Sequence, residues 1–577
     1  MSGSPVRRTR PDRYSILLVA LVALLAGVVG RLVWIQGVEA SAFGKRAADQ
    51  RLRDLIITPK RGVIYDRERE PLSISVEAKT VYAVPSAVKD ASAVASEIAG
   101  ILGGSPSDYR KRLERKSSFS YIARKVDLER AKRLEDLKIP GIGFLEDSKR
   151  TYPGGGLAAQ VLGFVGTDDK GLAGLEKEYD ALLGGKPGRV LAERDPYGRP
   201  IPGGVMKSVD AVDGRDIVLT LDRDIQYQAQ LELAETVSAF GAKSGSVVVM
   251  DPRDGGIYAM ASLPSFDPND FRSAEAAALN NRPISQPYEP GSTIKPFVAS
   301  AVIDRGLFTP ASMFHLPSTI DVGGRVIHEA HDRGSVDYSL ADIIAQSSNI
   351  GAVKLGLALG KQRIYDYYTA FGFGVKTGVD FPGEARGTMP APEDWSRSSI
   401  GNIPFGQGMS ATPLQLARAL SAIADGGEVV TPHFLGSVPG ESTQAVWPKR
   451  RVVTAATAKQ MVAILQRVMT DGTGTAGRVP GFEVAGKTGT AQVAKNGSYK
   501  GGGYEASFAG FLPAADPRVL IIVVIDEPTN GIYGGSVAAP AFSRLSQFTV
   551  DHLKIPPTTV GAPASKQPAA PVAGAHD

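Results

Sequence analysis

The chain has 577 residues, 43% of them apolar and 22% charged, with a formal net charge of +5. That length exceeds one ordinary domain, and the balance is that of a globular protein with a core to bury. Arg7, Arg8, Arg10 and Arg13 against Asp12 carry three of the five charges before residue 14, which argues against nucleic acid as a partner, and the absence of cysteine excludes disulfides, thiol chemistry and Cys-bound metal.

Residues 14–34 read YSILLVALVALLAGVVGRLVW, apolar except for Arg31 and close to the ~20 residues that span a bilayer. The arginine-rich flank argues against a core helix. The run is too long, and lacks the small-x-small close, for a cleaved signal peptide. Arg31 lies where its stem can snorkel to the interface beside Trp34. Positive charge before the span predicts residues 1–13 in the cytoplasm and everything after residue 35 outside it.

Residues 35–210 mix short strands (80–84, 161–165) with a charged helical run (128–137), punctuated by Gly154-Gly155-Gly156 and Gly184-Gly185. No catalytic cluster stands out there, so a spacer or docking module is expected. Residues 211–242 read as a linker and first helix. A strand over 216–221 precedes a helix capped by Asp222 or Asp224, with Ile225, Ala229, Leu233 and Val237 on one face. Strands over 246–250 and 257–261 flank a turn.

Glu289-Pro290-Gly291-Ser292-Thr293-Ile294-Lys295-Pro296 follows, with a serine three residues before a lysine. On a helix these two are neighbours on one face, so the amine can reach the hydroxyl. A lysine activates a serine only if its surroundings lower its pKa. Backbone N–H groups at the helix start could hold an oxyanion. Pro296 biases Lys295 away from helix but is tolerated in a first turn, so a helix ended by Gly306 is expected.

The region 292–480 reads as mostly helical with loops. Residues 483–492 and 504–512 flank a Gly- and Asn-rich loop, 519–525 is a buried-looking strand, and Phe542, Leu545, Thr549 and His552 have helical spacing. Strands from both ends of a domain with helices between them make an α+β fold. The stretch 555–577 is rich in Pro, Ala, Thr and Gly and is expected to be a disordered tail. The catalytic domain is therefore expected over 243–554.

Ser347-Ser348-Asn349 and Lys487-Thr488-Gly489-Thr490 complete an ordered set: S-x-x-K, S-x-N, K-T-G. That set resembles penicillin-binding proteins and serine β-lactamases. Tyr288–Pro296 and Phe405-Gly-Gln-Gly-Met-Ser-Ala-Thr-Pro-Leu-Gln415 resemble class B penicillin-binding proteins, and Arg61-Gly-x-Ile-x-Asp-Arg67 and Arg150-x-Tyr-Pro153 their non-catalytic pedestal. Ser348-Asn349-Ile350-Gly351 and Tyr533–Pro540 resemble the septal branch more than the elongation branch. Two departures stand out: Glu68-Arg69 occupy the place of an Asn-Gly turn, and Ser73 that of an alanine. The turn after Arg67 should therefore differ in geometry.

The resemblance implies an antiparallel sheet between helices with a helical subdomain, preceded by an elongated α+β pedestal and one anchor. It implies that Ser292 attacks the penultimate D-alanine of a peptidoglycan stem peptide ending in D-Ala-D-Ala, with Lys295 as base. Lys487 would help keep Lys295 neutral. Ser347 and Asn349 would relay the proton and orient substrate. Thr488 and Thr490, either side of Gly489, would hold the terminal carboxylate, and the N–H groups of Ser292 and Thr490 the oxyanion. No cofactor, metal or nucleotide is implied. The implied partners are lipid-linked precursor strands, β-lactam antibiotics, the cell membrane, a SEDS-family glycosyltransferase and other divisome proteins.

Gly481–Thr488 formally matches a P-loop, but it reads as a strand with no helix after it. His328-Glu329-Ala330-His331 has histidines three apart rather than four, so a solvated loop is expected. Asn496-Gly497-Ser498 reads as a hairpin turn rather than a glycosylation site. Three rivals stay open: an elongation-type transpeptidase, a D,D-carboxypeptidase or β-lactamase, and an inactive divisome scaffold. Deacylation of a penicillin adduct, and penicillin labelling against Ser292→Ala, separate the last two from a transpeptidase.

Overall fold

A computed structural model of the chain describes residues 12–43, 52–117, 119–193, 206–331, 333–441, 446–493, 499 and 502–558. Residues 1–11 of the expected cytoplasmic tail, the 496–498 turn and the tail from 559 lie outside the described residues. The chain forms two compact units, one of residues 1–59 with 185–213, the other of 60–184 with 214–577.

In the first unit, helix Arg13–Val33 continues as a π-helical turn, Trp34–Val38, and none of the helix is buried. With mean hydropathy 2.7 it is long and apolar enough to cross a membrane. Arg31 and Trp34 both reach Glu39 beyond its end, at 3.8 and 3.1 Å. Strands Leu52–Ile57, Gly188–Glu193 and Met206–Val209 form an antiparallel sheet with Gly188–Glu193 central.

In the second unit, strand Pro71–Ala83 pairs antiparallel with Ser120–Asp127 and Ile142–Thr151. The sheet packs against helices Ala91–Leu102 and Leu128–Asp136, capped by Asp90 and Asp127. The strand expected over 161–165 is instead a helical turn, Ala159–Leu162, with all four residues buried. A short apolar run buried on every side has no period to tell helix from strand. The two arginine motifs meet here. Arg61 Nε and Arg150 Nε donate to opposite oxygens of Glu176, at 2.6 and 2.7 Å, and Ser73 Oγ donates to the second of them at 2.9 Å. Glu176 is fully buried. Ser73 thus adds a hydrogen bond that alanine could not. At the other departure, Arg69 holds φ +66°, while Asp66 Oδ1 accepts the N–H of Glu68 and Glu70. An aspartate side chain closes the turn that Asn-Gly would close by backbone freedom.

The central sheet has five strands, β1 (Ser244–Met250), β2 (Ile257–Leu263), β3 (Ala485–Gln492), β4 (Tyr504–Leu512) and β5 (Val519–Asp526). Their spatial order is β2-β1-β5-β4-β3, all antiparallel. On β5, Ile521, Val523 and Ile525 face a core shared with α1 (Arg223–Ala239) and the C-terminal helix Gly534–His552. Leu520, Ile522 and Val524 face the opposite core, shared with the serine helix and Pro413–Ala424. Burial on both faces explains why β5 reads as an unbroken apolar run. Asp222 is the residue that caps α1. The region 292–480 is less helical than expected: its strand pairs include Met313–Leu316 with Val336–Ser339, Thr319–Val322 with Arg325–His328 and Glu428–Val429 with Arg450–Arg451.

Candidate active site

Ser292 sits in a 3-10 turn, Gly291–Ile294, that runs into α2 (Lys295–Asp304). Lys295 has helical angles, and Pro296 falls in the first turn, where no N–H is needed. The turn is clamped from two sides. Gly406, at φ +87°, brings its backbone against Gly291, whose N–H it accepts at 3.2 Å. Gly489 on β3 lies so close that a Cβ there would stand 2.3 Å from Ser507 Oγ and 2.8 Å from Thr293 Cγ2. The edge strand can approach the serine turn only as glycine.

Lys295 is fully buried. Its Nζ donates to Ser347 O at 2.6 Å, to Asn349 Oδ1 at 2.8 Å and to Ser347 Oγ at 3.3 Å. Among the described residues no hydrogen bond joins it to Ser292 Oγ, the contact expected from the S-x-x-K spacing. Ser347 makes this geometry by adopting φ +57° between α3 (Leu340–Ala345) and α4 (Asn349–Leu359). That conformation costs a non-glycine residue ~1–2 kcal/mol. It turns both oxygens of Ser347 toward Lys295. Lys487 Nζ, also buried, donates to Ser347 Oγ and to Thr488 O, both at 2.9 Å.

Burial pushes the Lys295 amine down to about 7, with Glu329 opposing and Arg333 assisting. Lys487 is held well below the lysine range by burial first, then by the charges of Lys295 and Arg333. Arg333 thus adds to burial in lowering Lys295, and the repulsion between Lys295 and Lys487 is mutual, each disfavouring the charged form of the other. Thr488 Oγ1 pairs with Thr473 Oγ1 at 2.6 Å, and Thr490 Oγ1 accepts the Gly534 N–H at 3.1 Å. A cleft of about 550 Å³ has Ser292, Ser347, Asn349, Thr488 and Thr490 in its walls.

Residues 245–547 match the family model of the penicillin binding protein transpeptidase domain, and residues 56–219 that of the penicillin-binding protein dimerisation domain. The chain is 34% identical, over 96% of its length and 92% of the relative's, to penicillin-binding protein PbpB of Mycolicibacterium smegmatis. The chain belongs to the class B penicillin-binding proteins. The peptidoglycan D,D-transpeptidase FtsI of Escherichia coli is 33% identical, with 94% of this penicillin-binding protein and 92% of FtsI covered. The crystal structure of penicillin-binding protein 3 from Mycobacterium tuberculosis in complex with aztreonam superposes with a TM-score of 0.69 at 30% identity, covering 88% of this chain and 98% of that one.

Sequence reasoning missed one acidic residue of this penicillin-binding protein's cleft. Glu329, expected in a solvated loop, is half-buried and sits at the start of α4. Its carboxylate accepts the N–H of Asn349 at 2.8 Å and of Ile350 at 3.3 Å, and the hydroxyl of Ser348. An anion at a helix N-terminus is favourable, and this one fixes the residue that holds Lys295. The available signal was an acidic residue about 20 positions before an S-x-N motif, which no local pattern marks. Arg333 and Thr473 were missed for the same reason. His331 meets Tyr533 across the cleft wall, with ring centroids 5.1 Å apart.

Proposed function

We propose that this D,D-transpeptidase cross-links peptidoglycan stem peptides in septal wall synthesis through an acyl-enzyme on Ser292. The observation that carries the assignment is the buried Lys295 amine. A neutral amine has two N–H donors and one lone pair. Ser347 O and Asn349 Oδ1 can only accept, so they use both donors and leave the lone pair, with the Ser347 hydroxyl 3.3 Å away, to take a proton. Lys295 takes the Ser292 hydroxyl proton as Oγ attacks the carbonyl of the penultimate D-alanine. The N–H groups of Ser292 and Thr490 hold the oxyanion. Ser347, hydrogen-bonded to both lysines, passes the proton to the departing D-alanine amine, and the C–N bond breaks. An acceptor amine then attacks the ester, gives up its proton by the same route and releases Ser292. Thr488 and Thr490, with Lys487, hold the terminal carboxylate of the donor.

In the cell the reading is of an N-terminus in the cytoplasm, an anchor at 14–34, a pedestal over 35–210, a linker over 211–242 and a catalytic domain over 243–554 outside the membrane at the septum. The strands are made from lipid-linked precursor by a SEDS-family glycosyltransferase of the divisome. β-Lactams, which resemble D-Ala-D-Ala, acylate Ser292. Intact mass of the full-length chain after benzylpenicillin tests the chemistry. A stable adduct absent from Ser292→Ala is expected. Release within seconds would favour the β-lactamase or carboxypeptidase reading, and absence of any adduct a scaffold.

A further inference from the structure

A second cleft, of about 720 Å³, lies away from Ser292 between the pedestal strands Ser120–Asp127 and Ile142–Thr151 and the loop at residues 268–272. Its lining carries seven arginines and lysines and one carboxylate, Asp270. Three of the cations are neutralised from outside the cleft. Arg124 pairs with Asp168 at 2.5 Å, Lys125 with Asp169 at 2.5 Å and Arg150 with Glu176 at 2.7 Å. The other four, Arg112, Arg115, Lys149 and Arg272, make no ion pair with any described residue. Arg112 donates only to a backbone carbonyl, and Arg272 only to the Thr167 hydroxyl, at 3.0 Å.

Four solvent-exposed cations thus face one cavity without a carboxylate partner among the described residues, Arg112 lying over the Tyr109 ring at 5.8 Å and Arg272 over the Phe271 ring at 5.7 Å. Arg150 adds a second sign. It is 5% exposed, lines this cleft, and its Nη2 has no hydrogen-bond partner. A buried guanidinium N–H left unpaired is costly unless a ligand completes it. The wall also offers Tyr121, 52% exposed, whose ring carries Arg124 at 5.6 Å and meets Phe119 edge-to-face at 4.8 Å.

We propose that this cleft is a binding site for an uncross-linked peptidoglycan strand, held through the carboxylates of its stem peptides. The proposal rests on the transpeptidase reading, because that reaction brings such strands to the chain. Every uncross-linked stem ends in a D-alanine carboxylate, so the strand is a repeating anion with sugar rings between charges. Cations fit the carboxylates, and the exposed part of the Tyr121 ring lies beside them. The cavity volume is in the range of sites that enclose a ligand of a few hundred daltons. Held at the pedestal, the strand would stay with the enzyme between successive cross-links.

The experiment uses the full chain in detergent with Ser292 already acylated by benzylpenicillin, so that the catalytic cleft is closed. Purified uncross-linked strands, and the same strands with their carboxylates converted to amides, are the probes. Acylated wild type should bind the strands at low salt, lose them as salt rises and bind the amidated strands at least tenfold more weakly. A triple Arg115→Ala, Lys149→Ala, Arg272→Ala variant should bind the strands at least tenfold more weakly while acylating and melting as wild type does. Lack of binding by acylated wild type, or equal binding by the triple variant, would overturn the site. So would retention of an acidic polypeptide but not of strands, which would make this a protein-docking surface. Failure of the transpeptidase reading would show separately, as absent or transient acylation.

Discussion

At the scale of single residues, chemistry here turns on which amine is neutral. With the Lys295 pKa near 7, the ammonium dominates below that pH and cannot accept a proton. The acylation rate by benzylpenicillin should therefore fall about tenfold per pH unit below ~7 and level off above it. A rate independent of pH between 5 and 8 would remove Lys295 from the role of base. Glu329 works in the opposite direction, since its charge favours the ammonium. Glu329→Gln should move the acid limb to lower pH. It should also lower the plateau, because Asn349 loses the ionic acceptor of its N–H. An upward shift of the limb would refute this account of the electrostatics. The serine and both lysines were legible in the sequence because their spacing is a signature. Glu329 was not, because the fold, not the spacing, carries it to α4.

At the scale of elements, what matters is how closely the edge strand β3 meets the serine turn. Gly489→Ala places a methyl group inside Ser507 and Thr293, so β3 must back away from Ser292. A displacement of ~1 Å in a reacting geometry can cost ~100-fold. The acylation rate of Gly489→Ala should fall by about that factor, and the overpacking should lower the melting temperature as well. In the pedestal, Glu176 is the only described carboxylate against Arg150, and it shares Arg61 with Asp180. Glu176→Gln keeps the shape but strands buried positive charge, at a cost of about 3–5 kcal/mol. Calorimetry of the full chain should show the loss as a lowered melting temperature.

At the scale of the whole molecule, the anchor contributes no buried surface to the fold. A chain lacking residues 1–38 should leave the membrane fraction and keep the acylation rate of the full chain. Retention in the membrane would point to a further attachment. Local patterns decided a good deal: the apolar span, an aspartate cap at Asp222 or Asp224 before a helix, the unbroken β5, and the order S-x-x-K, S-x-N, K-T-G. Each of these is set by neighbours a few residues apart, where helix and strand periods act. Tertiary structure alone decided that Ala159–Leu162 is helical, that Ser347 takes a left-handed conformation, that Lys295 points to Ser347 and Asn349 rather than Ser292, and that Arg61 and Arg150 share Glu176. These depend on burial and charge between groups distant in sequence, and a chain read in order contains neither quantity.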